Sequence, residues 1–202
     1  MKSGTQLPGG YLSQLLQACM LVLFLAGCQS PGVAPAAHHE ADVDRLLVLI
    51  EQRLDVAPMV ARAKWNSGAP IDDPARERQI LDGLMQTLDA GGKFDDAGKA
   101  FMRRFFQSQF DAGKILQHAL HAQWRQQGLP PFAQVPDLKT DIRPLLDRLT
   151  PQMIAAVVPV YQAVRADDAL RDQIARRARQ LIRGDAAGAV RNEAISVLLA
   201  RP

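Results

Sequence analysis

The sequence predicts an all-α protein, a single helical bundle of about six helices with no sheet. From residue 42 onward, apolar residues recur at three- and four-residue steps, and no segment alternates apolar and polar residues as a half-buried strand does. The chain has 202 residues, of which 48% are hydrophobic and 22% charged, so it is long enough to bury a core. A formal net charge of +3 and 5% aromatic residues do not favour a nucleic-acid partner.

The first 28 residues differ in composition from the rest. Lys2 is their only charge, and an apolar stretch ends in Leu25-Ala26-Gly27-Cys28. The stretch is too short to span a bilayer comfortably, and it fits the apolar part of an export signal. Its end resembles a bacterial lipobox. We therefore expect residues 1–27 to be a lipoprotein-type signal peptide, although a plain secretory signal that ends in cysteine stays open.

This interpretation makes Cys28 the lipidated residue of the mature protein. The protein would then lie in the periplasm and would contact a membrane only through its lipid anchor. The outer membrane is the favoured location. Residues 28–41 are rich in Pro, Ala and Gly, which predicts a flexible tether before a helical domain at 42–202. His38 and His39 lie in the tether without carboxylates or cysteines clustered nearby, so we expect no metal site.

The helical domain begins with a long amphipathic helix. Its apolar stripe consists of Val43, Leu46, Leu47, Ile50, Leu54, Ala57 and Ala61. Pro58 lies within this stripe, and we expect it to kink the helix or weaken one turn. A loop is predicted over residues 66–72.

Asp73-Pro74 has the pattern of an N-cap and a first helical residue, and it predicts a second helix that the Gly91-Gly92 pair ends. A third long helix is predicted at about residues 95–127.

The C-terminal third is predicted to be helical in several pieces. Asp137 opens a short helix, Thr150-Pro151 opens another, and Pro159 interrupts it. Five arginines are interpreted as a solvated face: Arg171, Arg176, Arg177, Arg179 and Arg183. His118 and His121 are interpreted as surface or boundary residues.

Several polar residues lie where a core is expected. Arg53 and Lys64 are 11 residues apart, close to three helical turns, at the margin of the apolar stripe. The third helix carries a seam of Phe106, Phe110, Gly113, Gln117, Leu120 and Trp124. Each feature alone has a structural interpretation. Arg53 and Lys64 can extend their charged ends from the edge of the stripe into water, and the amide of Gln117 can bond to a buried water. Together with Arg76, they also predict a cavity for a small dianion.

Three runs in this region resemble the all-helical chorismate mutases, specifically their secreted, periplasmic subclass. They are LLxLIxxRLxxAxxVAxxKW…PIDDPARE at residues 46–77, FFQSQFDAGKILQ at 105–117 and IRPLLDRL at 142–149. The resemblance extends over essentially the whole mature chain and is strongest at residues 43–149.

The resemblance implies a role for each matching residue. Arg53, Arg76 and Arg143 would hold the substrate carboxylates. Lys64 and Gln117 would donate to the ether oxygen, and Lys64 also to a carboxylate. Asp73 and Glu77 would contact the substrate hydroxyl or orient neighbouring groups. Gly113 departs from the family, since relatives tend to have Ser or Thr there for a carboxylate contact.

The activity implied is the rearrangement of chorismate to prephenate, with chorismate as the small-molecule partner and no metal or cofactor. The sequence leaves open a homodimer. It also leaves open pyruvate elimination from isochorismate, as well as a non-catalytic periplasmic lipoprotein that binds a small anion or a partner protein.

Overall fold

The computed structural model describes residues 35–92, 94–183 and 188–201. In this part of the chain it contains six α-helices, one π-helical turn and no strand, which confirms the all-α prediction. The helices are α1 (Pro35–Ser67), α2 (Pro74–Gly91), α3 (Asp96–Gln126), α4 (Arg143–Ala166), α5 (Ala169–Leu181) and α6 (Ala189–Leu199), and the π-helical turn (Leu138–Ile142) precedes α4. The signal peptide and Cys28 lie outside the described residues, as does the side chain of His38.

The predicted cap is present at the start of α2, and the start of α3 has a cap of the same kind. Asp73 Oδ1 accepts a hydrogen bond from the backbone N–H of Arg76 at 3.0 Å, and Asp95 Oδ1 accepts one from Gly98 at 2.7 Å. At the end of α2, Gly92 adopts φ 60°, a left-handed conformation that favours glycine. Local chemistry therefore sets these helix ends.

The start of α1 differs from the prediction. The helix begins at Pro35, so residues 35–41, which we expected to belong to the flexible tether, are helical. Pro35 suits the first position of a helix, and the segment contains three alanines, the best helix formers. Proline at this end of the segment therefore begins a helix rather than extending the tether.

The prolines of α4 are a second difference. Pro151 and Pro159 lie inside a continuous α4, so Thr150-Pro151 does not open a helix and Pro159 does not interrupt one. Pro58 lies inside α1, where it was expected, and the kink or weakened turn there stays a prediction. Each proline removes one helical hydrogen bond. Helix α4 has buried residues beyond Pro151, from Met153 to Val164, and it packs against α1. Burial of this face stabilises the helix across its prolines.

The core is centred on α1, which packs against α3, α4 and α5, while α6 packs on α3 and α5. The predicted α1 stripe is confirmed, because all seven of its residues are 5% exposed or less. The largest fully buried side chains around it include Phe105, Met102, Met153 and Ile174. Helix α2 packs against α3, and it borders a cavity beside α1.

Arg171 corrects the predicted solvated face. It is only 8% exposed; its Nη1 donates to Asp168, and its Nε donates to the carbonyl oxygen of Ala200 at 3.4 Å. Arg176 and Arg179, on the same helix, are exposed as predicted. Arg171 can be buried between the start of α5 and the end of α6 because its guanidinium finds one acceptor beside each helix.

His121 corrects the prediction for the two histidines. It is 8% exposed, its Nε2 lies 2.8 Å from the carbonyl oxygen of Ala61, and its ring packs edge-on against Trp65. His118 is exposed as predicted, and its Nε2 lies 2.8 Å from Asp72 Oδ2. A polar partner on α1 therefore allows one histidine to be buried while its neighbour faces water.

Candidate active site

A cavity of about 440 Å³ lies between α1, α2, α3, the π-helical turn and α4. All eight residues singled out for a substrate site from the sequence line it: Arg53, Lys64, Asp73, Arg76, Glu77, Gly113, Gln117 and Arg143. Seven of these residues lie in four helices and Asp73 is the N-cap of α2, and the first and last are 90 positions apart in the chain. Folding therefore brings together the set that the sequence could only propose.

Charge distinguishes this cavity from an ordinary apolar cleft. Its lining includes five cations, Arg53, Lys64, Arg76, Lys114 and Arg143, and three carboxylates, Asp73, Glu77 and Asp147. The surplus of two positive charges matches a small dianion. In a partly enclosed site such a surplus attracts the ligand more strongly than the same charges would at an open surface.

Lys64 reaches the cavity from the last turn of α1. Its Nζ donates to the carbonyl oxygen of Ile71 at 2.8 Å. Burial lowers the pKa of Lys64, while the charges of Asp73, Asp72 and Glu77 oppose this effect. An ammonium group has three N–H donors, so two remain for a ligand.

Arg53 lies about three turns earlier on α1. Its guanidinium lies over the ring of Phe110, 5.3 Å from the ring centroid, an arrangement that stabilises the cation. Burial lowers the pKa of Arg53 to about 10, and the charge of Asp147 partly opposes this. Arg53 therefore keeps its charge at neutral pH.

The other two arginines enter the cavity from helix starts. Arg76 lies in the first turn of α2, where the Asp73 cap fixes its backbone, and its Nη1 donates to Gln79 Oε1 at 2.7 Å. Arg143 is the first residue of α4, and its guanidinium makes no hydrogen bond or ion pair to any described residue. Arg143 can therefore offer its whole donor fork to a carboxylate.

Gln117 lies on α3 with little exposure, at 8%. Its Oε1 is buried and has no hydrogen-bond partner among the described residues, which is costly for a polar atom unless a ligand or water completes it. A Cβ placed on Gly113, one turn earlier, would lie 3.9 Å from Gln117 Nε2. The missing side chain therefore leaves the amide open to the cavity.

Two polar residues of the cavity wall were not found from the sequence. Lys114 bonds to Glu77 Oε2 at 3.0 Å, a contact between α3 and α2 that no local pattern reveals. Gln109 is 2% exposed, and its Nε2 donates to the carbonyl oxygen of Ala194 at 2.7 Å. The four-residue step from Gln109 to Gly113 places both on one helix face, a signal that could have indicated this glutamine.

The fold and the cavity define a class of protein, a helical protein with a cavity whose lining combines guanidinium, ammonium, carboxylate and amide groups and has a surplus of two positive charges. The described residues include no group of three or more His, Cys, Asp or Glu side chains arranged to hold a metal ion. None of the described helices combines the length and apolar character needed to cross a membrane.

Comparison with known proteins narrows this class. Residues 41–118 match the family model for chorismate mutase type II. The chain is 33% identical over 141 residues to the secreted chorismate mutase of Mycolicibacterium smegmatis, over 68% of this chain and 72% of the relative. It is 24% identical over 173 residues to that of Mycobacterium tuberculosis, over 86% of this chain and 83% of the relative.

Solved structures agree with the sequence matches. The crystal structure of chorismate mutase from Burkholderia thailandensis matches with a TM-score of 0.69 and 37% identity, over 78% of this chain and 99% of that one. The chorismate mutase from Burkholderia phymatum matches with a TM-score of 0.61 and 25% identity, over 81% and 99%. The chain belongs to the chorismate mutase family, and it is an isomerase.

Proposed function

We propose that the cavity converts chorismate to prephenate by a Claisen rearrangement within a single bound molecule. The observation that carries this proposal is the composition of the cavity wall, whose surplus of two positive charges matches the two carboxylates of chorismate. The reaction needs no nucleophile, because one C–O bond breaks as one C–C bond forms in the same molecule. The residues therefore have to position the substrate and stabilise charge.

Positioning falls to the arginines. Chorismate reacts from a compact pseudo-diaxial conformer, in which the two carboxylates approach and repel each other. Arg53, Arg76 and Arg143 would bind these carboxylates with paired N–H donors and offset the repulsion. The open donor fork of Arg143 and the cap-fixed backbone of Arg76 support these roles.

Charge stabilisation falls to Lys64 and Gln117. As the C–O bond stretches, negative charge grows on the ether oxygen, and donors aimed at that oxygen lower the barrier. Lys64 has two N–H donors beyond its bond to Ile71, and Gln117 borders the cavity with an incompletely bonded amide. In this role Gln117 donates from Nε2 to the ether oxygen, and its Oε1 accepts from a donor in the site.

Asp73 and Glu77 complete the proposed site. Both line the cavity, where their carboxylates can accept from the substrate hydroxyl or orient the neighbouring cations. Glu77 already accepts from Gln107 and Lys114, which fixes its side chain. At Gly113 this chain lacks the family's hydroxyl, and because the backbone N–H of Gly113 is used inside α3, a water would make the substrate contact there.

The direct test is turnover by the protein purified in mild detergent as the cell makes it. Loss of chorismate absorbance with formation of prephenate supports the proposal. Binding of a chorismate-like dianion without turnover would instead indicate a small-anion binding protein, and release of pyruvate from isochorismate would indicate elimination.

We further propose that the protein acts in the periplasm as a lipoprotein anchored through Cys28. The ending Leu25-Ala26-Gly27-Cys28 supports this, as do relatives named secreted chorismate mutases. We favour the outer membrane, since Gln29 rather than Asp follows the cysteine, and the homodimer stays a prediction. Native protein should partition with membranes, and Cys28→Ser should block lipidation. Unlipidated wild-type protein cut elsewhere and free in the periplasm would contradict the anchor.

A further inference from the structure

Lys114 is a cation of the cavity wall whose contacts extend beyond the proposed substrate groups. From α3, its Nζ lies 3.0 Å from Glu77 Oε2 on α2 and 2.8 Å from Asp111 Oδ1 on its own helix. The side chains of Lys114 and Glu77 are 20% and 17% exposed. Because the pair is largely withdrawn from water, its charges are screened less than those of a surface pair.

Gln107 completes a network with these three groups. Its Nε2 donates to Glu77 Oε2 and to Asp111 Oδ1, each at 3.1 Å. The same two carboxylate oxygens are therefore bridged twice, once by an amide and once by the ammonium group. Lys114 is the cation of this network, and without it two carboxylates would share one neutral donor, which is unfavourable for both charges.

The network bears on the cavity because Glu77 lines it as well. A dianion that enters the cavity is repelled by any carboxylate whose charge is not offset, and the ammonium of Lys114 offsets that of Glu77 at close range. The charge of Lys114 also contributes to lowering the pKa of Lys64. The two ammonium groups therefore act on the same part of the cavity.

We propose that Lys114 is a positioning residue for substrate binding, which holds the Glu77 carboxylate against α3 and neutralises it so that the cavity accepts a dianion. This inference rests on the proposed function, since the dianion is chorismate. Lys114 acts through Glu77, and no contact between Lys114 and the substrate is needed.

The test is steady-state kinetics with chorismate on protein purified in mild detergent as the cell makes it. Wild-type turnover tests the proposed function separately, so the two proposals can fail independently. Lys114→Met should raise KM about three- to tenfold with kcat within about twofold, because it weakens binding of the ground state and the transition state alike. Lys114→Arg should keep a KM close to that of the wild type, since guanidinium can make both contacts.

A double-variant cycle separates the role of Glu77. Adding Glu77→Gln to Lys114→Met removes the unneutralised carboxylate that lines the cavity but keeps an amide oxygen as acceptor, so KM should fall again relative to Lys114→Met. Glu77→Gln alone is the remaining single variant that the cycle needs for comparison. Circular dichroism verifies that each variant is folded.

Arg103→Met is the matched control, because Arg103 on α3 pairs with Asp82 on α2 at 3.0 Å, outside the cavity and with both side chains more exposed. It should leave KM unchanged. The proposal is overturned if Lys114→Met keeps the wild-type KM, if Glu77→Gln fails to lower the raised KM, or if Arg103→Met raises KM to the same degree. The last result would mean that Lys114 only fastens α2 to α3.

Discussion

The Nζ of Lys64 donates a hydrogen bond to the carbonyl oxygen of Ile71 at 2.8 Å. Ile71 lies in the loop between α1 and α2, and its side chain is 8% exposed, so the loop is packed onto the domain at this point. A backbone oxygen held in this way fixes the end of a long, flexible side chain. The ammonium group is thereby placed at the cavity wall with two donors left for the substrate.

The first prediction concerns the two cations of α1. Lys64→Ala and Arg53→Ala should leave the protein folded but lower turnover on the order of a hundredfold to a few thousandfold, or about 3–5 kcal/mol, because each removes a charged donor from a partly buried site. Turnover and circular dichroism are the measurements. The exposed Arg176 provides the control, and Arg176→Ala should leave turnover unchanged. Near-normal turnover in Lys64→Ala would contradict the site assignment.

The second prediction concerns pH and Gln117. An amide donates a hydrogen bond at every pH, so the wild type should show a flat profile from mildly acidic to mildly alkaline conditions. Lys64 acts in its charged form, which exists below its pKa. Since burial lowers that pKa, the alkaline decline should begin below the pH at which a free lysine loses its proton.

Gln117→Glu should change the acidic side of this profile. A carboxyl group donates to the ether oxygen only while protonated, so the variant should be active at low pH and lose activity as the carboxyl ionises. The charged residues that line the same cavity include Lys64, Lys114 and Glu77. Turnover against pH for both proteins side by side is the measurement, and superimposable profiles would mean that Gln117 does not face the breaking bond.

The third prediction concerns Gly113 in the interior of α3. Its φ is not positive, and an added Cβ would meet Gln117 Nε2 at an ordinary contact distance of 3.9 Å. Gly113→Ala should therefore raise the free energy of unfolding by about 0.5–1 kcal/mol, measured by urea denaturation, because alanine loses less backbone entropy in a helix. Gly83 is an exposed residue of α2, and an added Cβ there would have nothing within 4 Å, so Gly83→Ala is the matched control.

Gly113→Ser is expected to lower KM for chorismate. The resemblance to relatives with Ser or Thr here implies a hydroxyl contact with a substrate carboxylate, and the space beside Gln117 admits one. A raised KM would mean that the open space at residue 113 is itself needed for binding, whereas Gly83→Ala should leave KM unchanged.

The fourth prediction concerns Arg171. Arg171→Ala should lower the free energy of unfolding by about 1–3 kcal/mol, because it leaves a buried space and removes donors to Asp168 and Ala200. Arg176→Ala on the same helix should stay within about 0.5 kcal/mol of the wild type. Equal stability of the two variants would show that burial of Arg171 contributes nothing, and turnover should be unaffected in both.

Local pattern alone determined the buried face of α1 and the start of α2. The α1 stripe and the Asp73 cap were predicted correctly because periodicity and capping depend on residues within a few positions of each other. Gln117 stood out for the same reason, as a polar residue on an apolar face. The sequence pattern therefore indicated Arg53, Lys64, Arg76 and Gln117, with Gly113 beside the amide, and the resemblance added Asp73, Glu77 and Arg143.

Tertiary packing decided which polar residues are buried and what they contact. His121 bonds to Ala61, 60 positions earlier, Lys114 pairs with Glu77, 37 positions earlier, and no local pattern contains such partners. Packing also kept α4 helical across Pro151, although proline locally favours a break in the helix. Burial of a polar group is favourable only when a distant partner satisfies it, so these outcomes depended on the whole fold.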